Sequence, residues 1–578
     1  MGNIKKVGEW DMNEVGAIEQ VKKNSTNRQN VNINIHVGVF FDGTSNNANN
    51  NEWKDWFRFA YSLERRHALN NTIIPNPLKK LSNPAILSSL FMTDRSNGYR
   101  NKSGNDSNVK EKYLRVYVEG SGANGFKAQN EAIDIITHGK PVKGLGFGVG
   151  STGVVAKVSK AIKYISERVD IEESANTKIG EIHFYVFGFS RGSTAARLFS
   201  YLVARERKKD FPTEKLGKEK EFDHYLSKKY FKDDRVRFLD RYAEKMSVDF
   251  LGIYDTVSAI GFLKDADIVS KDADGKEVRI DGKVNKLRYA FMSDPDFWGN
   301  FHRENSKNYG LYSPTLPKVL STCHICALDE FRSNFALTDI GDLTNTENIE
   351  LFIPGCHSDV GGGYTATDKA EKKTLYRCFD NQYRTRVCMS NPTNANVEYK
   401  ELSAENLEAL GWITETEKKD VKIEEKGNQG IEFVHHPTPD VQYSNVPLNF
   451  MYQRAITKAK KLEELFSCNP KEFYKIPEDL TDMWRILETF LNENGRYCYY
   501  LGGDYNSSYY KNIRQKYLHF TSTDALHGWG DPGNPPGRKN HSDGKELVSD
   551  ICRFVYRGDS EDTNVYYMHD YTMESMKE

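Results

Sequence analysis

Stretches rich in β-branched and aromatic residues recur along the chain and predict buried strands. They are Ile33–Phe41, Tyr113–Val118, Ile182–Phe187, Val248–Tyr254 and Ile349–Ile353. Between them, Val154–Val169 and the segment from Ala195 place apolar residues three and four positions apart, as one face of a helix does. Near-continuous apolar strands that alternate with helices indicate an α/β fold with a largely parallel sheet.

Changes in this pattern divide the chain. Residues 1–30 are polar and unpatterned and predict a tail or a weakly held strand. The alternation of predicted strands and helices occupies residues 31–366. Charged, turn-rich stretches at about 205–245 and 264–320 interrupt it. We interpret these stretches as insertions at the carboxyl edge of the sheet. Residues 367–578 carry no motif that we can assign and predict a second module or a cap.

Composition narrows the class of protein. The 578 residues contain 80 Lys and Arg against 81 Asp and Glu, a net charge of −1. A general nucleic-acid binder needs a basic excess, so we expect no nucleic-acid partner. No apolar run is long enough to span a membrane, and residues 1–6 lack the apolar segment of a secretory signal. We therefore expect a soluble protein, made in the cytoplasm, that leaves it, if at all, by an unusual route.

The motif with the most chemical content is Gly188-Phe189-Ser190-Arg191-Gly192. It lies between a predicted strand and a predicted helix, the setting of a G-x-S-x-G nucleophile elbow. Small residues on either side of the serine let strand and helix approach closely. The hydroxyl is then presented at the helix N-terminus, where developing negative charge is stabilised. We predict that Ser190 is a catalytic nucleophile; the alternative is a structural Gly-Ser turn.

A serine hydroxyl needs a general base, and the base needs an orienting acid. In α/β-hydrolases they follow in the chain order Ser, acid, His, each after a later strand. Asp255 directly follows the strand Val248–Tyr254 and is the predicted acid. The alternative is that Asp255 caps a helix N-terminus.

His357 is the predicted base because it follows the strand Ile349–Ile353 on a glycine-rich loop. His324 is an alternative base. We favour His357, since His324 precedes Ala327–Phe335, a segment that predicts a helix. Asp359 is a second candidate acid, but it is too near His357 in sequence to orient it.

The developing oxyanion needs two N–H donors. The amide of Arg191, which follows the nucleophile, is the first candidate. The second should come from a loop after an early strand, and Gly43 and Thr44 cap the first strand. The alternative is an Asp-Gly turn without a role.

Two other motifs are weaker. Gly148–Gly153 reads G-x-G-x-x-G before a helix, but the glycine-rich residues in front of it do not predict the strand that a dinucleotide site requires. Cys323 and Cys326 have C-x-x-C spacing, but no second pair follows at zinc spacing. We expect reduced structural thiols, no cofactor and no metal.

Aromatic residues in two segments could face a membrane near the site. The first segment contains Trp53, Trp56 and Phe57, and the second is Phe297–Phe301. Both should overhang the active site if the insertions lie at the carboxyl edge. The alternative is that these aromatic residues belong to the core.

Four blocks together carry a resemblance to a known family. In chain order they are Phe41-Asp42-Gly43-Thr44, Gly188-Phe189-Ser190-Arg191-Gly192-Ser193, Gly252-Ile253-Tyr254-Asp255-Thr256-Val257 and Pro354-Gly355-Cys356-His357-Ser358-Asp359-Val360-Gly361-Gly362-Gly363-Tyr364. They resemble the α/β-hydrolase domain of type VI secretion lipase effectors, the Tle-type phospholipases. The match spans roughly residues 31–366.

The resemblance implies that Ser190, Asp255 and His357 form the triad of a phospholipase A that acts on bacterial membrane phospholipids. It also implies delivery by a secretion spike protein into the periplasm of a neighbouring cell, and a cognate immunity protein in the producer. Residues 367–578 and the insertions would then dock on membranes. Two other hypotheses stay open: a soluble serine esterase or thioesterase of small substrates, and a non-catalytic binding module on a hydrolase fold.

Overall fold

The computed structural model describes the strands, helices and loops that build one α/β core. The longer described stretches are 31–44, 81–92, 109–121, 153–173, 177–204, 233–258, 316–330, 347–364, 439–492 and 507–519. The shorter ones are 263–269, 279–280, 283–284, 286–290, 335, 337–340, 373–378, 397–398, 408, 411–418, 422–425, 431–435, 496–499, 537–542, 547–552, 554–556 and 565–567. The predicted tail 1–30, both aromatic segments and Gly148–Thr152 lie outside the described residues.

The strands of the described residues are numbered in chain order. They are β1 Val31–Phe41, β2 Val109–Val118, β3 Thr177–Phe189, β4 Met246–Tyr254, β5 Leu263–Val269, β6 Arg279–Ile280, β7 Lys283–Val284, β8 Lys286–Ala290, β9 Thr322–Ala327, β10 Leu337–Thr338, β11 Ile349–Ile353, β12 Lys373–Cys378, β13 Val397–Glu398, β14 Lys422–Glu425, β15 Ile431–His435, β16 Arg496–Tyr499, β17 Gly537–Ser542, β18 Leu547–Cys552, β19 Phe554–Tyr556 and β20 Val565–Tyr567.

Seven of these strands form the central sheet, in the order β16-β11-β9-β4-β3-β1-β2. Every neighbouring pair is parallel, so the predicted α/β fold with a largely parallel sheet is confirmed. The register aligns Phe41 with Gly188, Phe189 with Tyr254, and Ile353 with Ala327. The carboxyl ends of five strands therefore meet along one edge of the sheet.

Helices cover both faces of the sheet. The described helices are α1 Asn83–Leu90, α2 Val154–Glu172, α3 Arg191–Ala204, α4 Asp233–Arg241, α5 His357–Gly361, α6 Glu415–Lys418, α7 Asn445–Lys458, α8 Lys461–Leu465, α9 Thr481–Thr489 and α10 Ser508–Tyr517. Helices α2 and α3 bury their apolar faces on one side, and α1 and α7 bury theirs on the other. Both faces are thus shielded from water, as a parallel sheet requires. Among the described helices, none is both long enough and apolar enough to cross a bilayer.

The boundary predicted at residue 366 does not coincide with a break in the core. Strand β16, from beyond that boundary, pairs with β11 and extends the central sheet. Helix α7 lies across the sheet, and Met451 packs so closely on Gly252 that a Cβ there would come within 2.7 Å of its sulfur. Part of the predicted C-terminal module therefore completes the α/β core.

One predicted element is wrong. A helix was expected to begin at Ala327, but Thr322–Ala327 forms strand β9, and the chain bends at residues 328–330. Every residue of β9 is buried. Its polar side chains hide the strand pattern, because His324 lies inside the protein with partners rather than facing water.

Candidate active site

The turn between β3 and α3 holds the predicted nucleophile. Ser190 has a φ of 61°, in the left-handed region that a non-glycine residue rarely adopts. A Cβ on Gly188 would come within 2.6 Å of the Gly192 carbonyl oxygen, and one on Gly192 within 2.4 Å of the Asp42 carbonyl oxygen. Only glycine fits at these two positions. Ser190 is 3% exposed, so its hydroxyl lies in a turn that is shielded from solvent.

A second strained turn, at the end of β4, presents the predicted acid. Asp255 has a φ of 43°; among the described residues, it and Ser190 are the two non-glycine residues with positive φ. Its N–H donates to the Ile325 carbonyl oxygen at 2.8 Å, and its Oδ1 accepts the Ala327 N–H at 2.8 Å. Such strain costs roughly 1–3 kcal/mol per residue and concentrates at functional sites. Asp255 does not cap a helix.

The predicted base meets this acid. His357 begins helix α5, and its Nδ1 lies 2.6 Å from Asp255 Oδ2, with both side chains buried. An ionised carboxylate only accepts hydrogen bonds, so Nδ1 carries the proton and Nε2 is unprotonated. The imidazole also packs 4.5 Å from the ring of Phe189 and 4.9 Å from that of Phe335.

Backbone contacts bring the three turns together. The Ser190 N–H donates to the Tyr254 carbonyl oxygen at 3.0 Å, which joins the nucleophile turn to the strand that ends at the acid. Helix α5 lies against the nucleophile strand so closely that a Cβ on Gly361 would come within 2.0 Å of the Phe189 ring. The sheet edge therefore gathers Ser190, Asp255 and His357.

Two acidic residues that the sequence interpretation missed support the loop that carries His357. Asp329 Oδ2 accepts the Gly355 N–H at 2.8 Å, and Glu330 Oε2 accepts the His357 N–H at 3.2 Å. Asp329 also accepts the Tyr510 hydroxyl at 2.6 Å, so helix α10 is tied to this loop. Both acids follow strand β9 at the carboxyl edge, but the sequence pattern predicts a helix over Ala327–Phe335, which contains them.

Asp359, the second candidate acid, orients a different histidine. Its Oδ1 lies 2.7 Å from His519 Nδ1, and its Oδ2 accepts the N–H groups of Cys356 and His519. His519 in turn stacks on Tyr364 with ring centroids 3.7 Å apart. Asp359 therefore ties the segment after α10 to helix α5.

His324, the alternative base, is occupied on both sides of its ring. Its Nδ1 lies 2.6 Å from Glu350 Oε1, and its Nε2 accepts the Thr256 N–H at 3.1 Å. The C-x-x-C pair does not converge, because residues three apart on β9 point to opposite faces of the sheet. Cys323 joins the apolar core, whereas Cys326 Sγ lies 3.8 Å from Glu350 Oε1.

The predicted oxyanion residues lie next to the elbow, since residues 41 and 42 contact Gly192. The Gly43 N–H donates to Asp42 Oδ1 at 2.7 Å, so this amide is engaged. Thr44 Oγ1 is buried and has no hydrogen-bond partner among the described residues. Arg191 is the first residue of α3, and its N–H points out of the helix end, as the first amides of a helix do. Burial lowers the pKa of its partly exposed guanidinium to about 10.

Comparisons with known proteins identify a related family. The family model "T6SS, Phospholipase effector Tle1-like, catalytic domain" matches residues 36–378. A solved structure described as the Tle1 effector bound to the VgrG spike from the type 6 secretion system is 19% identical. It covers 96% of this chain and 95% of its own, with a TM-score of 0.44.

A second solved structure, an uncharacterized protein from Pseudomonas aeruginosa, is 16% identical. It covers 83% of this chain and 56% of its own, with a TM-score of 0.25. No curated protein sequence matches the chain.

Proposed function

The chain belongs to the Tle1-like phospholipase effectors of type VI secretion systems, and on this premise we propose that it is a phospholipase A with a Ser-His-Asp mechanism. Ser190 is the nucleophile, His357 the general base and acid, and Asp255 the orienting carboxylate. The substrate is an acyl ester of a bacterial membrane phospholipid.

One observation carries the mechanism. The buried His357–Asp255 pair, 2.6 Å between Nδ1 and Oδ2, packs against the residue that precedes a strained serine at a strand-to-helix turn. A carboxylate-oriented imidazole beside a serine held in this way is the arrangement that activates a hydroxyl for acyl transfer. A histidine with a purely structural role would not require a strained backbone at both the serine and the aspartate.

The reaction proceeds in two steps. His357 Nε2 removes the Ser190 hydroxyl proton while Oγ attacks the ester carbonyl carbon, whose π electrons move onto the oxygen. The carbonyl re-forms, the bond to the glycerol oxygen breaks, and the imidazolium gives its proton to the departing lysophospholipid. His357 then deprotonates a water, which attacks the acyl-Ser190 ester; the fatty acid leaves and Oγ regains a proton.

The oxyanion in both steps needs donors. We propose the Arg191 amide as the first, since it follows the nucleophile at a helix N-terminus. The second comes from residues 43–44, and the buried hydroxyl of Thr44 is available for it. The Gly43 amide would serve only if its hydrogen bond to Asp42 opened.

The biological setting follows from the family. We propose that a spike protein of the secretion machine carries the chain into the periplasm of a neighbouring bacterium, where phospholipid hydrolysis is toxic. An immunity protein protects the producing cell. The insertions, and those parts of residues 367–578 that do not complete the core, supply the membrane-docking surface.

Fatty-acid release from phospholipid vesicles tests the activity. The vesicles carry different acyl chains at the two glycerol positions, so that the products also report which ester is cut. We expect release by the wild-type protein and none by Ser190→Ala. Ser200→Ala is the matched control: Ser200 lies on the same helix, fully buried, and its hydroxyl has no partner among the described residues, so its loss should leave the rate unchanged.

Other outcomes point to the other hypotheses. Ser190-dependent turnover of a short soluble ester, with intact vesicles, would indicate a soluble esterase or thioesterase. No turnover of either substrate and no labelling of Ser190 by a fluorophosphonate would indicate a non-catalytic binding module.

A further inference from the structure

A second histidine–carboxylate pair lies directly behind the catalytic acid. His324 on β9 and Glu350 on β11 are both fully buried, with 2.6 Å between Nδ1 and Oε1. The proposed mechanism uses neither residue. Burying two polar side chains is costly unless they are hydrogen-bonded, so each hydrogen bond of this pair matters for the structure.

The hydrogen bonds fix the tautomer of His324. A backbone N–H can only donate, and that of Thr256 points at His324 Nε2 from 3.1 Å, so Nε2 must be the unprotonated nitrogen. The proton then lies on Nδ1 and is donated to Glu350 Oε1. The same oxygen accepts the Ile340 N–H at 3.1 Å, which keeps the carboxylate in place.

Thr256 is the residue after the catalytic acid. Its N–H is held by His324, and its carbonyl oxygen accepts the Thr338 N–H at 2.9 Å. The N–H of the peptide bond between Asp255 and Thr256 is therefore held by a hydrogen bond to the His324 imidazole. Because Asp255 has a φ of 43°, the hydrogen bond from the Thr256 N–H to His324 is one of those that hold a strained turn.

His324, Cys326 and Glu350 also place three potential metal-ligand atoms within 4.8 Å of one another. Their hydrogen bonds argue against a metal. Glu350 Oε1 accepts two N–H groups, and the lone pair of His324 Nε2 faces Thr256. An Nδ1-to-Oε1 separation of 2.6 Å is that of a hydrogen bond, whereas two tetrahedral zinc ligands stand more than about 3 Å apart.

We propose that His324 is a positioning residue that holds the strained Asp255 turn through the Thr256 amide, with Glu350 selecting the required tautomer. This inference rests on the proposed triad. It assigns the two buried histidines different tasks: His357 exchanges protons with substrate, whereas His324 keeps the acid aimed at His357.

Two amide substitutions separate this role from a purely structural one. In His324→Gln the amide oxygen can take the place of Nε2 and accept the Thr256 N–H, but Glu350 loses its donor. In His324→Asn the amide N–H can replace Nδ1–H toward Glu350, but Thr256 loses its acceptor. We expect His324→Asn to lower kcat by about 10²-fold with KM unchanged, since a misplacement of about 1 Å has that effect. His324→Gln should keep kcat within about threefold.

A matched pair of controls comes from the other half of the sheet. His183 on β3 lies 2.9 Å from Asp249 and contacts neither strained turn. His183→Gln and His183→Asn should both leave kcat within about twofold of wild type. Thermal unfolding of all four variants monitors the fold.

Glu350→Gln provides a further test if both His324 variants fail to fold. The N–H groups of His324 and Ile340 both donate to Glu350 Oε1. In the variant the amide oxygen takes the position of Oε1, so His324 keeps its tautomer. We expect kcat to be retained. A loss of kcat in this variant would show that the buried charge, not the tautomer, matters.

The inference would be overturned if His324→Asn were as active as His324→Gln, or if the purified protein held one equivalent of zinc that both variants lost. The rate of Ser190 labelling by a fluorophosphonate is measured in parallel. If wild type hydrolyses no phospholipid but labels, the proposed substrate fails while the labelling rates of the two variants still test His324.

Discussion

At the scale of single residues, two strained positions place an aspartate against His357 and a serine next to Phe189, whose ring packs on the same histidine. Ser190 and Asp255 each end a buried strand and turn through a left-handed conformation. The turn at Ser190 was predictable from the glycines on either side of it. The turn at Asp255 was not, because its conformation depends on hydrogen bonds to Ile325 and Ala327 on a strand 70 residues further along the chain.

Asp255→Asn tests the orienting role at this scale. An amide at this position can donate to Nδ1 and favour the wrong tautomer of His357, so we expect kcat to fall roughly 10⁴-fold with little change in stability. The control is Asp249→Asn, on the same strand but paired with His183. Initial rates of ester hydrolysis at fixed pH measure both. A loss of less than tenfold in Asp255→Asn would remove Asp255 from the mechanism.

At the scale of elements, the close approach of turns and helices determines the geometry of the site. The turn at residues 41–42 contacts Gly192 at the start of α3, and α5 presses on Phe189. Apolar runs identified the five strands predicted from the sequence, and the motif positions after three of them supplied the residues of the proposed triad. Strand β9 was not predicted because four of its six residues are Thr, Cys or His, and His324 finds its hydrogen-bond partners inside the protein.

Gly192→Ala tests the approach of α3 to β1. The new Cβ would meet the backbone oxygens of residues 41 and 42 at about 2.5 Å, and backbone cannot move aside cheaply. We expect roughly 2–3 kcal/mol of destabilisation and loss of activity. Urea unfolding and hydrolysis rates measure these, with Ser200→Ala as the control on the same helix. A variant of wild-type stability would show that the elbow is looser than described.

The buried ion pair between the end of β2 and the first turn of α2 gives a pH prediction. Burial alone raises the pKa of Glu119, but the charges and hydrogen bonds of Lys157 and Lys160 outweigh it and leave the pKa below its usual value. A lowered folded-state pKa stabilises the fold above the unfolded-state pKa, near 4. This contribution is lost as the pH falls through the folded-state value.

Glu119→Gln should therefore destabilise the protein at pH 7 by roughly 3–5 kcal/mol, because Lys157 is left buried without its partner. The difference from wild type should shrink below about pH 4. Thermal unfolding between pH 3 and 8 measures it, beside Glu167→Gln in the exposed pair with Lys163 on the same helix. A difference that did not vary with pH would contradict the charge argument.

At the scale of the whole molecule, the part of the chain after the family domain completes the core. Strand β16 covers the edge of β11, α7 lies on the sheet, and Tyr510 and His519 bind the loops around His357. The sequence could not show this, because these contacts join residues 160 to 181 positions apart and involve polar groups without a periodic pattern. The sequence sufficed for the fold class and supplied the three residues of the proposed triad, but it did not show the contacts that hold these residues in place.

A chain that ends at residue 378 tests this dependence. Removing β16 and α7 exposes an edge strand and one apolar face of the sheet, so we expect an aggregated product without cooperative unfolding. Size-exclusion chromatography and thermal melting compare it with the full chain. A monomeric truncated protein with a sharp transition would mean that the C-terminal part is an independent module after all.

The most direct test of the central claim is to identify the residue that an alkyl fluorophosphonate modifies, by mass spectrometry of the intact protein and its peptides. The account predicts one adduct, on Ser190, that is absent in Ser190→Ala, present in Ser200→Ala and much slower to form in His357→Ala. An adduct on another serine, or phospholipid hydrolysis by a protein that is never labelled at Ser190, would contradict it.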